Sequence, residues 1–133
     1  MKKLVTLLLT VLLVLSLAGC GRLSATFAIV GEKSSVYTEA DINEAFDVVL
    51  DCFRKKFDGC TLIELGYAGD DTLSEQKEWA RQYKADECIL LICSFETGST
   101  AGPLNPNSTY ENYKWVLTRT GGGEWEIKTN GYA

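Results

Sequence analysis

Cys52, Cys60, Cys88 and Cys93, together with 18 carboxylates, are the side chains from which reactive chemistry would have to be built, and the chain has no histidine to assist them. That absence removes Ser–His–Asp and Cys–His nucleophiles, His-containing zinc sites and the commonest general base near neutral pH. The four cysteines are even in number, which leaves three disulfide pairings open by arithmetic. All four nonetheless lie in apolar stretches, Cys88 and Cys93 would point to opposite faces of one strand, and no C-x-x-C spacing occurs. They read as buried free thiols acting as small hydrophobes, in preference to bridges, metal ligands or redox centres. Among the carboxylates, Asp70-Asp71 and the row Glu44, Asp47, Asp51 are the nominees for a glycosidase-type pair. The row falls on the polar side of an amphipathic helix, and nothing in the sequence places either group in an apolar pocket. Gly121-Gly122-Gly123 is not followed by Lys-Ser or Lys-Thr, so it reads as a turn and not as a phosphate loop. The expectation is therefore a protein that is not an enzyme, with no metal and no cofactor.

Cys20 has a different setting. Lys2 and Lys3 precede an apolar run from Leu4 to Leu17 that is short for a membrane span, and Leu17-Ala18-Gly19-Cys20 closes it. Small residues before the cysteine leave room for a peptidase, and the thiol offers a place for a diacylglyceryl group; the motif resembles the bacterial lipoprotein pattern. The expected organisation is a signal peptide over 1–19, a lipidated Cys20 with its tether over 20–36, and a folded domain over 37–133. Acyl chains such as palmitate contribute about 0.8 kcal/mol per buried methylene, enough in two or three chains for stable attachment. The expected location is the outer, extracytoplasmic face of the cell membrane. From Cys20 onward 114 residues remain, enough for one core, with 11 basic against 18 acidic side chains and a formal net charge of −7. Such a balance argues against nucleic acid and against docking flat on anionic lipid.

The elements that must position any site follow from periodicity. Thr38 as N-cap, Asp41 three residues on and Tyr37 packing toward Ile42 start a helix, and Arg54, Lys55 and Lys56 before Gly59 end it. Ile42, Phe46, Val49, Phe53 and Phe57 share its apolar face. Cys60 to Tyr67 reads as a strand, Thr72 with Glu75 as a second capping box, and Leu73 to Lys84 as a shorter helix. Glu87 to Phe95 is apolar on both faces and reads as a central strand. Tyr113–Thr120 and the segment from Trp125 to Thr129 alternate about the glycine turn and read as a hairpin. The predicted class is α+β: a long N-terminal helix packed on a curved, mainly antiparallel four-stranded sheet, with a second short helix between the first two strands.

Asp41-Ile42, Phe53 and Phe57, Gly59-Cys60-Thr61-Leu62, Trp79-Ala80 with Tyr83, Ala85-Asp86-Glu87, Leu104-Asn105-Pro106-Asn107-Ser108-Thr109-Tyr110, Trp115, Gly122-Gly123, Trp125 and Gly131-Tyr132 carry a further likeness. Over most of the chain after Tyr37 it resembles an uncharacterised family of secreted lipoproteins from Firmicutes, chiefly Clostridia. The resemblance implies a cystatin-like or nuclear transport factor 2-like domain and no particular activity. The cystatin signature Gln-x-Val-x-Gly is absent, so protease inhibition does not follow.

The long connection from Glu96 to Glu111, rich in Gly, Asn and Ser and holding both prolines, is the remaining candidate for function. Asn105, Asn107, Tyr110 and Trp115 are predicted to form one rim of a binding surface, the amides fixing orientation and the rings supplying contact area. The expected partners are the membrane, through the N-terminal diacylglyceryl anchor, and an envelope protein, peptide, glycan or small ligand; nucleic acid is not expected. The functional expectation is a lipid-anchored binding or accessory module, with a small-molecule-binding domain using a cavity between helix and sheet as the alternative.

Overall fold

Thr38 begins the first helix as the sequence requires: its hydroxyl accepts from the Asp41 amide at 3.1 Å while the Asp41 carboxylate accepts from the Thr38 amide at 3.1 Å. The computed structural model, which describes residues 20–132, shows this helix as α1, Glu39–Lys56. The signal peptide expected over 1–19 lies outside the described residues. The other elements are β1 (Arg22–Gly31), β2 (Cys60–Tyr67), a single 3-10 turn (Asp70–Thr72), α2 (Leu73–Gln82), β3 (Glu87–Thr97), β4 (Thr109–Arg119) and β5 (Glu126–Gly131).

The strands form one five-stranded sheet in the order β1-β2-β3-β4-β5. β1 runs parallel to β2, and every other neighbouring pair is antiparallel. This corrects the predicted architecture. The sheet is mixed and has five strands, and α1 is not the leading element of the fold but the crossover that parallel neighbours require. The strand left out of the predicted sheet is β1, in the segment expected to be a tether with at most one short strand at Phe27-Ala28-Ile29-Val30. Its register jumps from Leu23 opposite Leu62 to Ala28 opposite Glu64, so residues 24–27 bulge out, and the Thr26 amide turns back to the Ser24 hydroxyl at 3.2 Å. A bulged edge strand with mostly exposed side chains has no period-two pattern to detect.

α1 buries Ile42, Ala45, Phe46, Val49 and Phe53 against one face of the sheet, where Leu62, Leu65, Leu91, Phe95, Trp115 and Leu117 complete the main core. α2 lays Ala80 and the half-buried Trp79 on the opposite face, over Cys88, Leu90 and Val116. β3 is thus covered twice, as its apolar run implies. Each fully buried Leu, Ile, Val or Phe contributes roughly 1.5–3 kcal/mol, which makes these two layers the principal stabilising term. All the cysteines are free, with Cys88 and Cys93 on opposite faces as expected.

The second capping box is not formed. A 3-10 turn runs directly into α2, so the Thr72 hydroxyl is spent on the Gly69 carbonyl (2.7 Å), and Glu75 instead accepts from Lys114 Nζ at 2.9 Å. Among the described residues no helix is long and apolar enough to cross a membrane.

Candidate functional site: a cleft between β1 and the start of α1

Gly66 in β2 lets β1 lie close alongside: a Cβ there would sit 2.3 Å from the Val30 carbonyl oxygen. β1 ends at Gly31, with φ +96, and the chain then crosses over the ends of the parallel pair to reach α1. What holds this crossing is Asp70. Ser34 Oγ (2.7 Å) and Tyr67 Oη (2.9 Å) donate to its Oδ1, and the Ser35 amide (2.8 Å) and hydroxyl (2.9 Å) donate to its Oδ2. The Ser34 hydroxyl bond is the largest cause, followed by the Ser35 amide, by which the Asp70 carboxyl is held down to about 2. Ser34 Oγ also accepts from the amides of Val36 and Tyr37, so the turn is tied at both ends.

Behind this clasp the network continues inward. Tyr67 Oη accepts from Gln76 Nε2 at 3.0 Å, and the same amide nitrogen donates to Thr72 Oγ1 at 2.8 Å. Burial pushes the Tyr67 phenol up, and Tyr37 more strongly, its hydroxyl donating to the Cys88 carbonyl. On the other side of α1's first turn, Arg119 donates to Asp41 Oδ1 at 2.9 Å and to Glu87, and lies 4.3 Å from the centroid of the Trp125 ring. Trp125 Nε1 in turn donates to the Asp41 carbonyl at 3.0 Å. The start of α1 is therefore fixed from two directions.

Between the end of β1 and the first turns of α1 lies a cleft of about 440 Å³. Ile29, Val30, Tyr37, Ile42, Phe46 and Tyr67 supply its apolar lining, while Glu32, Lys33, Glu39 and Asn43 supply polar groups. Ile29 is 53% exposed and Val30 37%, beside Phe46 and Tyr67, which are buried. The cleft lies at the carboxyl ends of β1 and β2, the one parallel pair of the sheet. Sequence reasoning missed this site because it assigned residues 29–36 to a tether. The signal that could have found it is Ile29-Val30-Gly31, an apolar pair closed by a glycine seven positions before the helix cap Thr38.

The residues predicted to form a rim divide differently. The connecting loop spans 98–108 and is pinned at several points: Gly98 N donates to Gly59 O (2.8 Å), Asn107 N to Gly98 O (2.9 Å), and Thr97 Oγ1 to Asn105 O (2.6 Å). Asn105 and Tyr110 do meet, but through the Asn105 backbone N–H, which donates to Tyr110 Oη at 3.0 Å, and the Tyr110 ring stacks on Phe95 with centroids 4.9 Å apart. Asn105 and Asn107 are exposed, and Asn107 takes a left-handed turn conformation at φ 51. Trp115 is not on the rim. It is fully buried, with Nε1 donating to Cys93 Sγ at 3.1 Å. The loop borders a second cavity, about 410 Å³, with Phe57, Cys60, Ala101, Leu104 and Tyr113 among its walls.

The chain matches no protein-family model, no curated protein and no solved structure. Its chemistry must indicate what it does. Burial pushes the Cys88 and Cys93 thiols up to about 12, so at neutral pH they are protonated packing groups. Asp70 is ionised with both oxygens engaged, which suits a clasp and not a proton donor. Among the described residues no cluster of three or more His, Cys, Asp or Glu side chains has the arrangement to hold a metal ion. The β1–α1 cleft, by contrast, offers apolar area with a few charged groups at its margin.

Proposed function

We propose that the protein is a lipid-anchored, extracytoplasmic binding module whose ligand is a small amphipathic molecule held between β1 and α1. The observation that carries this reading is the cleft itself: about 440 Å³, with Ile29 and Val30 left open to solvent beside aromatic side chains. Ligand sites of roughly 300–1,000 Å³ are typically apolar with a few convergent polar groups, and this one has that composition. The apolar part of a ligand would rest on Ile29, Val30, Ile42 and Phe46, and a polar end would meet Lys33, Glu39 or Asn43. The anchor is supported by Leu17-Ala18-Gly19-Cys20 behind its apolar run. A binding role in place of catalysis is supported by the lack of histidine and by the full engagement of Asp70.

Titration with 1-anilinonaphthalene-8-sulfonate tests the site. Ile29→Asp introduces a charge into the apolar lining at an exposed position, and is expected to weaken probe binding about tenfold while leaving the thermal midpoint in place. The triple variant Asn105→Ala/Asn107→Ala/Tyr110→Ala is expected to bind as the parent does. The opposite pattern would move the site to the cavity under the 98–108 loop. Growth on labelled fatty acid tests the anchor: wild-type protein incorporates label, Cys20→Ala does not, and label retained by the variant refutes the assignment.

A further inference from the structure

Cys20 stands directly against the folded domain, with no spacer between them. The Gly21 amide donates to the carbonyl of Arg54 in the last turn of α1 at 3.0 Å, and a Cβ on Gly21 would lie 2.1 Å from the Phe53 carbonyl oxygen. Consecutive Cα atoms are about 3.8 Å apart, so a lipid on Cys20 begins at the surface of this end of the molecule. The same end carries Arg22, Arg54, Lys55 and Lys56, all exposed. Lys55 is paired with Asp51, whereas among the described residues Arg22, Arg54 and Lys56 form no ion pair. Within the last turn of α1 and the start of β1 the acidic side chains are Asp51 and Asp58 against these four cations, which leaves that turn basic; Glu96 and Glu111, on the strands beside it, are acidic, on a chain whose formal net charge from Cys20 onward is −7. The opposite end is acidic: Glu39 and Asp41 open α1, and Glu32, Asp70, Asp71, Asp86 and Glu87 lie in the segments around them.

Beside the basic turn sit the 98–108 loop and an aromatic pair. Gly98 is bonded to Gly59, just past the end of α1, and Tyr132, 63% exposed, stacks on Tyr110 with centroids 6.1 Å apart. Tyrosines and basic side chains together are the composition that settles at a headgroup layer. We propose that this end of the domain, comprising Gly21, the last turn of α1, the 98–108 loop and Tyr132, lies against the anionic phospholipid headgroups of the membrane that holds Cys20, and that the β1–α1 cleft consequently opens away from the bilayer. The proposal rests on the anchoring reading given above. α1, 18 residues long at about 1.5 Å rise per residue, separates the two ends by roughly 27 Å. The acidic remainder of the surface is repelled by the same lipid, which reinforces this one orientation. The whole-chain charge, read without its distribution, argued against contact with anionic lipid; the polarity of the fold reverses that conclusion for one end.

The test uses full-length lipidated protein in vesicles of phosphatidylcholine alone or mixed with phosphatidylglycerol, floated on a gradient and pulsed with an amine-acylating reagent. Mass analysis compares Lys55 and Lys56 with Lys33 and Lys77, which lie near the cleft and on α2. Acylation of Lys55 and Lys56 relative to the two reference lysines is expected to fall several-fold when phosphatidylglycerol is present, and to recover at high salt. In Arg54→Glu/Lys56→Glu, which alters exposed positions only, Lys55 should regain its labelling while the protein still floats. Floated wild-type protein with the same lysine ratios in both lipids overturns the orientation and leaves the anchor standing. Wild-type protein that fails to float overturns the anchor, and the orientation with it.

Discussion

Asp70 gathers donors from two segments of chain, and its ionised form is what closes the turn between β1 and α1. A carboxyl whose folded value lies below its unfolded value stabilises the fold above the unfolded value, and the effect is lost as pH falls through the folded one. For Asp70 that window runs from about pH 4, the ordinary carboxylate value, down to about 2. In Asp70→Asn the amide nitrogen would face the Ser34 or Ser35 donors, so a lower urea midpoint is expected at neutral pH. The gap between variant and parent should narrow as pH is lowered through that window, while Asp41 and Glu75, also held below their ordinary values, keep both proteins acid-sensitive. Equal midpoints at pH 7 would show that the clasp contributes nothing. The sequence offered Asp70-Asp71 as a nominee for acid–base chemistry. Its actual use was illegible, because Ser34 and Ser35 lie 36 and 35 positions away along the chain and no local pattern couples them. The thiols were legible, since apolar neighbours on both sides of Cys88 and Cys93 already imply burial. A denatured, unreduced sample with Cys20 acylated should titrate four thiols, and a count of two or none would establish disulfides in place of free cysteines.

Elements were readable where their determinants are local. The Thr38–Asp41 box, the spacing from Ile42 to Phe53 and the basic last turn all lie within α1, and the structure forms the helix from them. Trp115 shows where local reading stops. Its alternation with Tyr113 and Leu117 indicated a strand, but the pattern alone does not say that α1 covers the face on which all three lie. β1 failed for a related reason, since its pairing with β2 is set by contacts made across the whole of α1. Gly66 is the position that permits this pairing, and it supplies a prediction. Gly66→Ala places a methyl group within 2.3 Å of the Val30 carbonyl, a contact that only movement of β1 can relieve. Faster amide exchange confined to residues 28–31, with α1 and β3–β4 protected as before, is the expected outcome, together with loss of dye binding at the cleft. Unchanged exchange along β1 would mean that the strand is not held where the cleft needs it.

At the scale of the molecule, the two ends of the domain are joined through one core, and Phe53 stands at its junction. Its ring stacks on Phe57 at 4.8 Å, meets Phe95 edge-on at 5.7 Å and is fully buried, while its carbonyl packs against Gly21 at the head of β1. Removing the ring therefore loosens α1, β3 and the start of β1 at once, at the end that the anchor would hold to the membrane. Phe→Ala substitutions in packed cores cost about 3–5 kcal/mol, and domains of this size are stable by only about 5–15 kcal/mol. Phe53→Ala is accordingly expected to lower the urea midpoint by a large fraction of its value. If the five strands and two helices unfold as one unit, the combined fluorescence of Trp79, Trp115 and Trp125 and far-ultraviolet dichroism will report the same lowered midpoint with the parent's denaturant slope. A smaller slope, or two separated midpoints, would mean that β1 detaches first and that the cleft opens before the core does. An unchanged midpoint would place the apolar face of α1 elsewhere.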